Sequence, residues 1–424
     1  MLPHEENDLL TKTGPETPMG DLYRRFWLPV MLAEELPTPD CDPVRVSVLG
    51  ERLVAFKDTS GRVGLLDARC PHRSANLFWG RNEQDGLRCA YHGWKYDVAG
   101  TCIDVPNTPE GATFKDKIAA FSAYPAVERG GFVWAYMGPK DQEPPFPNFE
   151  INRVPASHIH ITKVYLQANW LQLMEGELDS SHVAFLHSRV DSGENVLAAR
   201  NRMQGAMFQD TMPTWTFKDT DYGIMLGAKR GGPEGKSYWR VNQWLMPSFT
   251  MIAAVPGTPV HLQIRVPMGD ETSIFYRAIW HPTRPLTDRE RYDAERGGVN
   301  FPEMIPGTYL PKENRDNDYL IDRASQRTTS FTGIKSIPAQ DWAVQEDMGG
   351  PIVDRSIEHL VSSDAAIISV RKRLIKTARD LQEGTEPVEP QAGDRYGVRP
   401  IDIMLDGEAE VWDSAREYLE AQSW

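Results

Sequence analysis

Two short ligand pairs constrain this chain more than any other feature. Residues 70 to 92 read CPHRSANLFWGRNEQDGLRCAYH, so Cys70 and His72 are followed, after sixteen intervening residues, by Cys89 and His92. Pro71 and Gly93 let each loop turn sharply, and each loop can then aim one thiolate and one imidazole at a common centre. Only four cysteines occur in 424 residues, Cys41, Cys70, Cys89 and Cys102, which argues against a disulfide scaffold. Cys41 and Cys102 have no histidine at ligand spacing and read as small buried or half-buried side chains.

Two metal sites are built from these residue types. A tetrahedral zinc site would be structural and redox-silent. A Rieske [2Fe–2S] cluster puts two cysteines on one iron and two histidines on the other, which raises its potential above that of all-cysteine clusters. Zinc fingers pair Cys with Cys and His with His along the chain, whereas here each loop supplies one of each. Ligand order therefore predicts the iron–sulfur cluster, against zinc and against four unrelated residues.

The rest of the chain sets the frame. Its length allows two or three domains. Lysines and arginines number 46 against 60 acids, a net charge of −14 that repels nucleic acid. No run approaches the ~18 apolar residues of a membrane helix, and MLPHEENDLL carries acids where a secretory signal needs bases, so a cytoplasmic address without membrane contact is expected. VRVSVLG, ERLVAFKD and GRVGLLD predict short antiparallel strands near the front. The Pro- and Gly-rich stretch at 137–147 places a boundary near residue 150, giving domains at 1–150 and 151–424. A helix is expected over 166–187, four strands over 237–281 with a turn at Gly269-Asp270, and an amphipathic helix after Ser363 and Asp364 that ends at Gly384. There is no internal repeat.

CPHRSA and CAYHGWKYDVAGTC resemble the ferredoxin-type domain of Rieske non-haem iron oxygenases. PMGDLYRRFWLPV and later segments are most similar to the phthalate-dioxygenase-like branch of the oxygenase (alpha) component, over nearly the whole chain. The resemblance implies an α+β chain: an antiparallel β Rieske domain with an N-terminal extension, then a helix-grip catalytic domain with a curved antiparallel sheet and flanking helices. It implies that Cys70 and Cys89 hold one iron and His72 and His92 the other, with Trp94 over the cluster loop.

Asp179, His182 and His187 form a second constellation. Two histidines and a carboxylate make the facial triad that leaves positions on Fe(II) open to dioxygen and substrate. On an undisturbed α-helix His182 and His187 would stand about 140° apart, so a break or π-type bulge between them is expected. The third ligand must come from QDWAVQEDMGGPIVDRS, where Asp341, Glu346, Asp347 and Asp354 are candidates that spacing cannot separate. The resemblance points to Asp347. It gives Asp179 another role, a carboxylate bridge between subunits from His92 of one chain to His182 of the next, and so implies a homotrimer or homohexamer.

Strand period puts Tyr238, Arg240, Asn242 and Trp244 on one face, where a guanidinium between aromatics suits an aromatic carboxylate. The resemblance assigns Arg240 to that carboxylate, with Ser180, Arg200 and Arg202 as weaker lining candidates. No G-x-G-x-x-G follows a strand, and GGPEGKS fails as a phosphate loop because Arg230 stands where its first glycine should be; the chain shows no nucleotide site, and if it is redox active its electrons are expected from a separate NAD(P)H-dependent reductase. The expected activity is O2-dependent hydroxylation of an aromatic carboxylate. O-demethylation or ether cleavage by the same layout, an electron carrier or redox sensor using the cluster alone, and a zinc-stabilised interaction protein are the alternatives.

Overall fold

The computed structural model describes residues 1–109, 122–191, 193, 202–295 and 300–421, the side chains of Arg202 and Gln204 excepted. The chain divides into two compact units, Thr13–Pro144 and Met1–Lys12 with Pro145–Trp424. The later boundary thus falls six residues before the expected one. The helix His4–Thr11 belongs to the second unit, where Asn169 donates to the Thr11 carbonyl (2.8 Å) and Asn7 to that of Val353 (3.1 Å). Sequence-local reasoning cannot see those partners.

Among the described residues, the strands of the first unit pair antiparallel. Val44–Val48, Glu51–Lys57, Val63–Asp67 and Ala123–Tyr124 form one sheet, and Trp27–Leu32, Phe132–Tyr136 and Ala126–Arg129 another. Arg81–Glu83, Gly86–Arg88, Lys95–Tyr96 and Cys102–Asp104 form a third. Its first hairpin turns on Gln84-Asp85, both at positive φ (50° and 57°), the backbone that matches strand twist in a two-residue turn. Val54, Phe56, Leu77, Leu87, Trp94 and Tyr96 form a core that also takes in Cys70, Cys89 and Cys102.

The second unit is built on an eight-stranded antiparallel sheet. Its order runs from Ile159–Leu166 through Thr272–Trp280, Val260–Gly269, Phe249–Ile252, Lys236–Leu245 and Gly223–Gly231 to Thr214–Asp219. Lys236–Leu245 changes partner along its length: Ile401–Asp406 pairs with residues 236–241 and Phe249–Ile252 with 243–245. The helix Trp170–Leu178, capped by Asn169, packs on Phe249–Ile252 and Val260–Gly269. Its Glu175 is buried between Arg355 (2.9 Å) and Arg371 (2.6 Å), and Arg371 belongs to the amphipathic helix Ala365–Gln382. A buried acid so paired fixes the axis of the helix that leads into the site. The α+β expectation, the strands over 237–281 and the last helix agree with this architecture. The helix expected over 166–187 does not run through, because it ends at Asp179 (φ −77°, ψ 115°). Among the described residues no helix is long and apolar enough to cross a membrane.

Candidate functional site

The two cysteine loops have the same backbone pattern. Cys70 N–H donates to the Ala75 carbonyl (2.9 Å) and Ser74 N–H to that of Cys70 (2.8 Å), and Cys89 N–H and Gly93 N–H repeat this with Trp94 (2.8 Å) and Cys89 (3.0 Å). The fifth residue of each loop is left-handed, Ser74 at φ 58° and Gly93 at φ 76°, which is where glycine has no steric penalty. The His72 and His92 rings lie 4.5 Å apart, and Trp94 stacks on His72 at 4.4 Å while its Nε1 donates to Asn107. The Tyr96 hydroxyl is 3.2 Å from the Cys70 sulfur.

The residues present fit a two-iron cluster and not one ion. Around one tetrahedral zinc the ligand atoms would lie about 3.3–3.8 Å apart. Among the described residues, the group whose ligand atoms all lie within 4.8 Å of one another is a different one, so these four side chains do not close on a single ion. His72 Nδ1 is nevertheless buried with no hydrogen-bond partner. Burial pushes the Cys70 thiol up and the His72 imidazole down, so the imidazole is held neutral with a lone pair for metal while the thiol gives up its proton on metal binding. Cys41 is half-buried and Cys102 buried, and neither is in a disulfide, as expected.

The group that does converge is His182, His187 and Asp341. The short helix Val183–Leu186 has His182 and His187 at its two ends. The expected irregularity therefore does not lie between the histidines: the chain bends at Asp179 before them, and helical geometry stops at His187 itself (φ −99°, ψ 11°). The rings stand 5.1 Å apart, and both Nε2 atoms face one Asp341 oxygen, His182 at 3.5 Å and His187 at 3.4 Å. Burial opposes it, yet the two imidazoles hold the Asp341 carboxyl below its usual range, the response of a ligand set poised for a cation.

The structure brings Asp341, and not Asp347, to the two histidines. Asp341 lies inside the helix Ile337–Gln345, whereas Asp347 is exposed beyond its end, where the chain turns towards Gly349-Gly350. Glu346 bonds instead to Tyr319 (2.5 Å) and to Gln167 N–H (2.7 Å), and Asp354 is exposed enough to reach His4 and Ser356.

Each histidine has a second partner. Asp179 Oδ1 accepts from the N–H and hydroxyl of Ser181 (both 2.7 Å), and its Oδ2 lies 3.5 Å from His182 Nδ1. Burial would raise the Asp179 carboxyl, but His182 and Ser181 hold it down at about 2. Gln340, which sequence reasoning missed, lies 2.7 Å from His187 Nδ1 through Oε1 while its amide N–H donates to the Ile334 carbonyl (2.8 Å). That second bond fixes which end of the amide faces the ring, so His187 carries a proton on Nδ1, and Nε2, on the Asp341 side, is the nitrogen left to ligate a metal.

A cavity of about 400 Å³ opens on this triad, with Arg240, Arg265, Phe275, Ile279 and Trp342 among its walls. Of the substrate candidates among the described residues only Arg240 lines it; its Nη1 is 3.8 Å from Asp402. Ser180, Asn242 and Trp244 do not. Ser180 is buried against Arg230 (Nη1 to Oγ, 3.0 Å) and Trp244 donates to Met174 Sδ (3.3 Å) in the core. Asn242 sits where its strand changes partner and seals the gap by bonding Ala253 N–H (2.9 Å) and the Glu177 carbonyl (3.1 Å). Arg200 and the Arg202 side chain lie outside the described residues.

A mixed-ligand loop pair and a two-histidine, one-carboxylate cavity in one chain define an iron-dependent oxygenase. Residues 26–121 match the Rieske [2Fe-2S] domain family and residues 135–395 the family described as LigXa C-terminal domain like. The chain is 33% identical over 426 residues to the 3-chlorobenzoate-3,4-dioxygenase oxygenase subunit of Comamonas testosteroni, covering 97% of each chain. It is 36% identical over 405 residues to the phthalate 4,5-dioxygenase oxygenase subunit of Pseudomonas putida, covering 92% of this chain and 89% of that one. To the 5,5'-dehydrodivanillate O-demethylase oxygenase subunit of a Sphingobium species it is 32% identical over 392 residues, covering 91% and 83%. The crystal structure of dicamba monooxygenase bound to dicamba shares the fold, with a TM-score of 0.58 at 20% identity over 85% of this chain and 98% of that one. The chain belongs to the Rieske non-haem iron oxygenases, as an oxygenase component of the phthalate-dioxygenase-like branch with a [2Fe–2S] cluster and a mononuclear iron.

Proposed function

We propose that this oxygenase component uses O2 and electrons from a separate NAD(P)H-dependent reductase to hydroxylate a small aromatic carboxylate. The observation that carries this is the triad of His182, His187 and Asp341 at the wall of a cavity that also presents guanidinium groups. Cys70, Cys89, His72 and His92 hold the cluster, and His182, His187 and Asp341 hold the iron. The cluster supplies single electrons, and the iron supplies the open positions at which dioxygen is activated.

The protein's own residues prepare that chemistry. Gln340 fixes the His187 tautomer, and the Asp179 carboxylate, 3.5 Å from His182 Nδ1, favours a proton on that nitrogen, which leaves both Nε2 lone pairs for iron. Phe275, Ile279 and Trp342 exclude water around the ring of the substrate, and cations on the wall, Arg240 among them, fit its carboxylate. In the proposed homotrimer or homohexamer, Asp179 also receives a bond from His92 of the neighbouring subunit, giving electrons a short hydrogen-bonded path. Asp179→Asn should then keep both metals but separate cluster oxidation from product formation in a single turnover, and unchanged single-turnover kinetics would remove the bridge.

A second reading, oxidative O-demethylation or ether cleavage, has support in the 32% identity to an O-demethylase subunit. Catalysis-free electron transfer leaves the triad without a task. Dioxygen uptake with a panel of benzoates, phthalates and methoxybenzoates separates the three. Hydroxylated acids support the first reading, formaldehyde release the second, and no substrate-stimulated uptake the electron carrier.

A further inference from the structure

Arg265 is buried (3% exposed) on the strand Val260–Gly269 and lines the cavity of the triad. Its guanidinium carbon lies 3.8 Å from the centre of the Phe275 ring, which holds the plane of the group in place. Nη2 is 2.6 Å from Glu177 Oε1 and 3.5 Å from Gln263 Oε1. The other donors have no acceptor: Nε and Nη1, which carry three of the five N–H bonds of a guanidinium, are buried without a hydrogen-bond partner. Both carboxylate oxygens of Glu177, another wall residue, also lack a directed hydrogen bond.

Buried donors left unmade are costly, and native proteins keep few of them unless something fills the position. A carboxylate brings two oxygens with about four lone-pair sites to these N–H groups. Arg240 is less available, because its Nη1 faces Asp402 (3.8 Å) and Met207 Sδ (3.7 Å). Burial also pushes the Glu177 carboxyl up to about 7, which weakens it as a resident counter-charge near neutral pH. We propose that Arg265, more than Arg240, grips the carboxylate of the aromatic acid, and that Glu177 is the resident group this carboxylate displaces. The inference rests on the aromatic-carboxylate reading above.

The test is binding of benzoate and its uncharged isostere benzamide to the oxidised holoenzyme, by calorimetry. The unaltered enzyme should favour benzoate. Arg265→Gln should weaken benzoate about 10-fold or more and benzamide less than about 2-fold, Arg240→Gln should weaken benzoate less than about 3-fold, and Glu177→Gln should tighten benzoate several-fold. If Arg265→Gln fails to fold, Arg265→Lys keeps the charge without the planar fork and should still lose most of the preference. Loss of the preference in Arg240→Gln but not in the Arg265 variants would overturn the inference and leave the aromatic-carboxylate reading standing. An unaltered enzyme with no preference for benzoate would overturn both.

Discussion

The cluster loops and the iron cavity are assembled from opposite kinds of sequence information. All four side chains of the first come from within 23 residues, on two loops with one repeated backbone pattern closed by their own peptide groups. The second joins two histidines on a single helical turn to an aspartate 154 residues after His187, and its geometry depends on Gln340, on the Asp179 bend and on the sheet beneath. A local site tolerates change elsewhere in the molecule. A site drawn from distant elements is exposed to any change in the partners that orient it.

That contrast can be broken most severely at the cluster. Cys89→Ala should remove the visible absorption and the acid-labile sulfide together, with turnover falling more than about 10³-fold. A variant that keeps both would separate Cys89 from the cluster. A smaller effect is expected where a distant partner orients a ligand. Gln340→Leu should weaken Fe(II) affinity about 10- to 100-fold, measured against a chelator, while Gln340→Glu, which still accepts from Nδ1, keeps most of it. Equal retention by both would mean that the amide does not set the tautomer.

The smallest effect is on stability rather than on either metal. Glu290 is held at about 2 by Arg284, against burial and with help from Thr287. A carboxyl depressed in the folded state stabilises above its unfolded value, near 4.5, and loses that contribution as pH falls towards 2. Glu290→Gln should therefore cost about 1 kcal/mol at pH 7, a figure reduced for solvent screening of the 40% exposed Arg284 side chain. Urea melts should show the difference shrinking below pH 4.5, and a pH-independent difference would contradict the ion-pair account.

What was legible in the sequence follows the same division. The order of Cys70, His72, Cys89 and His92 carried the cluster, and alternation in SYWRVNQWLM and HLQIRVPM carried the strands of the second unit. His182 and His187 were visible as a spaced pair, but the choice between Asp341 and Asp347 depends on where the helix Ile337–Gln345 stops, and four acids in one segment do not encode that. Strand period puts Arg240, Asn242 and Trp244 on one face, yet of these three only Arg240 lines the cavity. A face shared by a strand is interrupted when the strand changes neighbours, as this one does beside Asn242. Arg265 left a faint signal, a cation between Ile264 and Val266 in an apolar run, and Gln340 left none.

The central claim, a separate ferrous site held by His182, His187 and Asp341, is tested most directly by counting iron and acid-labile sulfide per chain in Asp341→Ala beside Asp347→Ala. The account predicts about three irons and two sulfides in the Asp347 variant, and about two of each in the Asp341 variant, whose cluster spectrum is unchanged. Full iron in Asp341→Ala, with the third iron missing from Asp347→Ala instead, would contradict it.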